Sequence, residues 1–280
     1  MQTNRKTFIA LSVVLLAAAL PAGAPRALEI PWIFDTHVHY SADAWDQHTT
    51  ERVIERLKAA GVRRALVSST PDEGSVRLHH IDPKLFVPEL RPYHDGIGQG
   101  SWYRDPSIPA YLKQRLALGV HRGIGEFHLN APEHALSNVL AEVARLAIKH
   151  AIPLHIHSDV APIRVLLDFY PTLKILWAHA GFTEGADVVG EMLDRYDRLW
   201  TEVSYRAGDI APNGIDPQWR ALLVRHADRF MIGSDTWTGS RWDEYTELIA
   251  EHRAWLSELP ADVARAIAHE NAERLYGGTD

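Results

Sequence analysis

The 280-residue chain contains no cysteine and only 3 methionines, and beyond residue 20 it has no long uninterrupted apolar run. Without cysteine there are no disulfides, thiolate metal sites, cysteine nucleophiles or lipid-modified N-terminal cysteine, so any metal must sit on imidazole and carboxylate. Basic charge is also in short supply. With 29 Lys and Arg against 36 Asp and Glu, the formal net charge is -7 and no basic cluster stands out. That balance argues against a general nucleic-acid surface, which must displace counterions from phosphates. Low-complexity linkers and long charge runs are missing too. What is present is an ordinary globular composition, 46% hydrophobic and 23% charged, enough for a sizeable core. Histidine is abundant at 16. A lone histidine is commonly a hydrogen-bonded structural residue, so placement decides what that count means.

The N-terminus has the three parts of an export signal. Arg5 and Lys6 precede an apolar run, Phe8–Leu20, and the small-residue stretch Pro21-Ala22-Gly23-Ala24 follows. The run is short for a bilayer span. The expectation is a signal peptide over residues 1–27, its cut position left open by Pro25, and a single domain over 28–280. The alternative is an N-terminal membrane anchor. Arg5-Lys6-Thr7-Phe8-Ile9 is also similar to a twin-arginine signal with its second arginine replaced. Losing Arg5 and Lys6 takes the formal charge from -7 to -9. The expected home is a bacterial periplasm or the exterior, with no stable membrane span after signal removal.

Short apolar runs then alternate with amphipathic stretches, the alternation of a parallel α/β fold. Eight runs are expected as strands: Ile33–Val38, Ala65–Ser69, Phe86–Leu90, Gly123–Phe127, Leu154–His157, Ile175–His179, Leu199–Val203 and Phe230–Gly233. Between the first two, Val53, Ile54, Leu57 and Ala60 fall at helical spacing in Glu51–Ala60 before Gly61. Ser137–His150 likewise puts Leu140, Val143, Ala144 and Ala147 on one face ahead of Pro153. Eight strand–helix units in this length predict one (β/α)8 TIM barrel, whose site forms where strands end in βα loops. The connection Arg91–Pro109 carries Gly96, Gly98 and Gly100. It does not open a dinucleotide-binding βαβ unit, and a barrel lid or surface loop accounts for it.

The strongest motif is Phe34-Asp35-Thr36-His37-Val38-His39. Strand alternation places Asp35, His37 and His39 on one face, where two imidazoles can chelate one ion. By itself an HxH pair is a weak signal. Its weight comes from Glu126, His157, His179 and Asp235, each at or just past the C-terminal end of an expected strand. Such residues converge on a barrel mouth, and inward ionisable groups are costly unless paired or metal-bound.

At these residues the sequence resembles the amidohydrolase superfamily, more closely its amidohydrolase-related and TatD-like metal-dependent hydrolase branch. The likeness extends to His269-Glu270-Asn271-Ala272-Glu273-Arg274-Leu275-Tyr276. It implies a divalent metal site with His37 and His39 after strand one, His179 after strand six and Asp235 after strand eight. It matches His157 to the strand-five ligand, four residues after Pro153, and Glu126 to a strand-four carboxylate bridging two metals. Strand four has no lysine, so a carbamylated lysine is not expected.

One or two divalent ions are therefore expected, zinc fitting imidazole and carboxylate best, with manganese, iron and cobalt open. They would activate a water for attack on a small-molecule substrate, with Asp235 taking the water's proton. Carbon esters, lactones and amides rank ahead of phosphoesters because no phosphate-specific cluster is evident. A decarboxylase on the same scaffold and a non-catalytic periplasmic metal- or ligand-binding protein are the alternatives. Arg91 and His94 are candidate substrate-binding residues, with Tyr93, Trp102, Tyr103 and Arg104 beside them. His155 and His128 are expected to support the site or the structure rather than bind metal. Asp35 would orient a ligand histidine or hydrogen-bond within the barrel.

Overall fold

A computed structural model describes residues 32–277, and the expected leader lies outside the described residues. The chain runs through β1 (Ile33–His39), β2 (Val62–Ser68), β3 (Phe86–Leu90), β4 (Gly123–Leu129), β5 (Leu154–Ser158), β6 (Ile175–Trp177), β7 (Leu199–Glu202) and β8 (Phe230–Met231). All are parallel and pair in sequence order. A bridge between Asp35 and Ile232, with the Thr36 amide donating to the Ile232 carbonyl at 2.8 Å, brings β8 back to β1 and closes the barrel. The expected (β/α)8 barrel is therefore the observed fold.

The covering helices start and stop where side chains satisfy their free backbone groups. Thr49 caps Thr50–Ala59, and Ser137 caps Asn138–His150 by accepting from the Leu140 amide at 3.1 Å. Asp216 accepts from the amides of Gln218 and Trp219 at the head of Pro217–Arg225, whose first residue needs no amide partner. Their apolar stripes pack on outward residues such as Val38, Ala65, Val67, Ile156, Ile175 and Phe230. No helix among the described residues is long and apolar enough to cross a membrane.

Inside the barrel the side chains are layered. At its N-terminal end Phe34, Leu66, Val87, Leu176 and Met231 form an apolar plug with Ala272, Leu275 and Tyr276 of the last helix, Asn271–Tyr276. Above it His37, Glu89, His155 and Glu202 come from β1, β3, β5 and β7, a four-residue layer from alternate strands. Above that lies the mouth.

Two expectations about strand ends change. β6 stops at Trp177, because His179 and Ala180 turn into left-handed backbone at φ 57° and 48°. Asp35 does not share a face with His37 and His39. The register shifts on either side of it, Phe34 takes the inward position, and Tyr245 on the outer helix Tyr245–Leu256 donates to Asp35 Oδ2 at 2.8 Å. Asp35 also accepts from the amides of His37 and Ser234, so it ties β1 to the start of the β8 loop.

Candidate metal centre and its cavity

Six side chains from five strand ends meet at the mouth. His37 Nε2 and His39 Nε2 are 3.1 Å apart, and both lie near Asp235 Oδ1, at 3.4 and 3.2 Å. Glu126 reaches the same point, with Oε2 3.7 Å from His37 Nε2 and 3.2 Å from His39 Nε2. Its other oxygen is 3.1 Å from His157 Nδ1 and 3.9 Å from His179 Nε2. His157 Nδ1 and His179 Nε2 are themselves 3.1 Å apart. The structure thus brings together His37, His39, Glu126, His157, His179 and Asp235, the whole set singled out in the sequence.

The layer beneath fixes the protons of these imidazoles. Glu202, fully buried on β7, can only accept, so at 3.0 Å it holds a proton on His37 Nδ1. It also accepts from the His179 amide at 2.7 Å and from the Ser204 amide at 2.7 Å. Ser204 Oγ donates to Glu202 at 3.1 Å and is then free to accept from His179 Nδ1 at 2.7 Å. His37 and His179 turn Nε2 toward Glu126 and Asp235, where a bound metal ion would take the place of any proton on His37. Asp235 Oδ1 is buried and has no hydrogen-bond partner among the described residues. Lone pairs and carboxylate oxygens packed this closely repel unless a cation sits among them, and the donor set suits a divalent ion.

Ionisation follows the same crowding. Burial opposes a charge on His37, but Asp235, Glu202 and Glu126 outweigh it and hold its pKa well above the usual value. Burial likewise opposes ionisation of Asp235, yet His37 and His39 bring it down to about 2. Glu126 and Glu202 are held below the usual range, burial again being outweighed, in each case chiefly by His37. Burial lowers His179 and His128 to about 4. The carboxylates are thus ionised at neutral pH.

Glu202 was not among the residues expected from the sequence. Its signal was available: it ends the seventh apolar run as Glu126 ends its own, one position short of Val203. Gly233 makes room for it, since a Cβ there would collide with Glu202 Oε2 and approach His37 Cβ at 2.9 Å. Gly125 plays the same part before Glu126, lying against the His155 carbonyl and Cβ.

The cluster floors a cavity of about 590 Å³ lined by Arg91, Gln99, His128, Phe182, Tyr205 and Trp237 among others. Arg91 is there as expected, its Nε donating to the Glu126 carbonyl at 3.0 Å. His94 is not. It stacks on Tyr111 at 4.1 Å beside Asp95, away from the residues that line this cavity. Trp102 is buried and donates to the His128 carbonyl, while Tyr103 stacks on His134, so both are scaffold. His155 bonds Glu89 at 3.0 Å one layer down, as a supporting residue. The exposed aromatics at the rim, Phe182, Tyr205 and Trp237, lie in loops with no periodicity to reveal them.

The amidohydrolase family model matches residues 35–278. No curated protein matches the chain. Among solved structures, a TatD homologue from Escherichia coli is 16% identical, with 88% of this chain and 98% of that chain covered at a TM-score of 0.64. A probable 2-pyrone-4,6-dicarboxylic acid hydrolase from Acinetobacter baumannii, solved with citric acid bound, is 13% identical over 88% of this chain and 99% of that one, TM-score 0.58. A 5-carboxyvanillate decarboxylase from Sphingomonas paucimobilis is 14% identical over 89% and 99%, TM-score 0.54. Identities this low show a shared fold, and a probable hydrolase and a decarboxylase share it.

Proposed function

The chain belongs to the amidohydrolase family, and from that premise we propose that it is a metal-dependent hydrolase cleaving a carbon ester, lactone or amide bond. The observation that carries the proposal is the convergence of four imidazoles and two ionised carboxylates on the floor of an open cavity. His37, His39, His157, His179, Glu126 and Asp235 would hold one or two divalent ions, and zinc suits that donor set best. A divalent ion there supplies an acidified water and a Lewis-acid pull on the substrate oxygen.

The chain's own residues do the rest. Asp235 is the proton acceptor: it is ionised, borders the cavity, and its Oδ1 lies among the His37 and His39 Nε2 atoms. Its backbone is clamped, its amide donating to the His37 carbonyl at 2.6 Å and its carbonyl accepting from Arg241 Nε at 2.6 Å. Glu202 and Ser204 keep His37 and His179 in the tautomers that present Nε2. Residues 1–27 are proposed to direct export to the periplasm or beyond.

The test is turnover of a panel of carbon esters and lactones by protein stripped with chelator and reloaded with zinc, alongside Asp235→Asn. Metal-dependent turnover with solvent oxygen entering the product is expected. Asp235→Asn should retain metal and lose most of kcat, since the amide keeps an oxygen donor but is not basic. Carbon dioxide release from an aromatic acid without solvent oxygen in the product would make the enzyme a decarboxylase. Metal-loaded protein inert in both assays would leave only a binding role.

A further inference from the structure

His128 stands on β4 two residues beyond Glu126, and its ring stacks on His157 with centroids 4.4 Å apart. Its hydrogen bonds fix which nitrogen carries the proton. The backbone amide of His128 donates to the Tyr93 hydroxyl at 3.0 Å, and that same hydroxyl is 3.1 Å from His128 Nδ1. Tyr93 is buried, and burial holds its phenol above the ordinary range, so it keeps its proton. No acceptor other than His128 Nδ1 is hydrogen-bonded to that hydroxyl among the described residues. A buried hydroxyl proton needs an acceptor, so Tyr93 donates to Nδ1 and the imidazole proton lies on Nε2.

Among the described residues Nε2 has no hydrogen-bond partner, and His128 lines the cavity. A ring nitrogen of His128 lies within 4.8 Å of ligand atoms of Glu126 and His157, close enough for a ternary metal site to be conceivable on spacing alone. The tautomer argues against that use, because ligation through Nε2 would push the proton to Nδ1 and leave the Tyr93 hydroxyl without an acceptor. The other donor nearby, Arg91, already bonds the Glu126 carbonyl and lies 3.6 Å from Glu126 Oε2. The cavity floor is otherwise crowded with acceptors. A fixed N–H facing them is what a substrate oxygen gaining negative charge requires.

We propose that His128 is a catalytic residue of this site, donating a hydrogen bond from Nε2 to the reacting oxygen of the substrate, with Tyr93 as the positioning residue that sets its tautomer. This rests on the hydrolase reading. As the water oxygen bonds the carbonyl carbon, the C=O π pair moves onto the oxygen facing His128, and Asp235 takes the proton the water loses. When the pair returns to carbon, the bond to the leaving group breaks and that group departs with the proton from Asp235. The His128 proton stays on Nε2 throughout.

The experiment uses the zinc-loaded full chain labelled with 15N-histidine. Long-range 1H–15N correlations should show His128 protonated at Nε2 and unprotonated at Nδ1, with His128→Gln identifying its signals and Tyr93→Phe weakening the preference. On 4-nitrophenyl esters and lactones, His128→Phe should lose about 100-fold in kcat at unchanged zinc content. His128→Gln, which keeps an N–H donor, should recover part of that loss. A His128 proton on Nδ1, or less zinc in either His128 variant, overturns the proposal. Wild-type activity matched by His128→Phe overturns it alone, whereas a wild-type protein silent on the whole panel overturns the hydrolase reading and this one with it.

Discussion

Glu202 acts on two histidines at once, bonding His37 Nδ1 and the His179 amide with one oxygen and meeting His179 Nδ1 through Ser204. A carboxylate behind a ligating imidazole fixes its tautomer and raises its basicity. Glu202→Gln keeps the shape but removes the charge, and its amide N–H groups must now face donors. Zinc affinity, measured by competition with a chromogenic chelator, should fall roughly 10- to 100-fold, with the far-ultraviolet spectrum unchanged. Equal affinity would reduce Glu202 to packing. At this scale the six mouth residues were legible in the sequence because ionisable residues at strand ends are scarce and expensive. Glu202 was harder. Its role depends on His37, 165 residues away, and only the closed barrel shows that they touch.

At the scale of elements, apolar runs located all eight strands, and β3 has the expected bounds of Phe86–Leu90. What failed was the assumption that alternation continues without a break, for the register shifts around Asp35 turn that carboxylate outward. Loops were opaque for a related reason: His94 and Tyr93 are neighbours, yet one stacks on Tyr111 and the other bonds His128. A second polar knot, unremarked in the sequence, ties the helix Glu73–Ile81 to the helix Ile108–Leu116. Buried Asp72 accepts from Arg115 Nε at 2.6 Å and lies 3.0 Å from His121 Nε2. Burial alone would raise its pKa, but His121 and Arg115 outweigh that and lower it. A carboxylate lowered in the folded state stabilises above its unfolded pKa, about 4, and loses that contribution as pH falls through the folded value. Asp72→Asn should therefore cost about 3 kcal/mol near pH 7, the gap to wild type narrowing below about pH 4. Urea unfolding at pH 7 and pH 3 measures it. A gap of equal size at both would show that the charge is not involved.

For the molecule as a whole, the barrel and its closing helix account for the described residues, and an apolar segment precedes them in the sequence. Phe8–Leu20 is 13 residues, which as a helix spans roughly 20 Å against a hydrocarbon core of about 30 Å. Arg5 and Lys6 sit at its start and small residues at its end, the order that a signal peptidase substrate requires. A chain without cysteine forms no disulfides and needs no oxidising compartment to fold. Export would therefore change where the enzyme meets substrate and metal rather than whether it folds. Expressed in a bacterial host, the full chain should appear in the periplasmic fraction with a mass corresponding to cleavage near residue 27. Leu15→Arg with Leu16→Arg, which breaks the apolar run, should leave it in the cytoplasm at full length and with the same zinc content after reloading. Full-length wild-type protein in the membrane pellet would make the segment an anchor, and soluble cytoplasmic protein still starting at Met1 would remove the export role altogether.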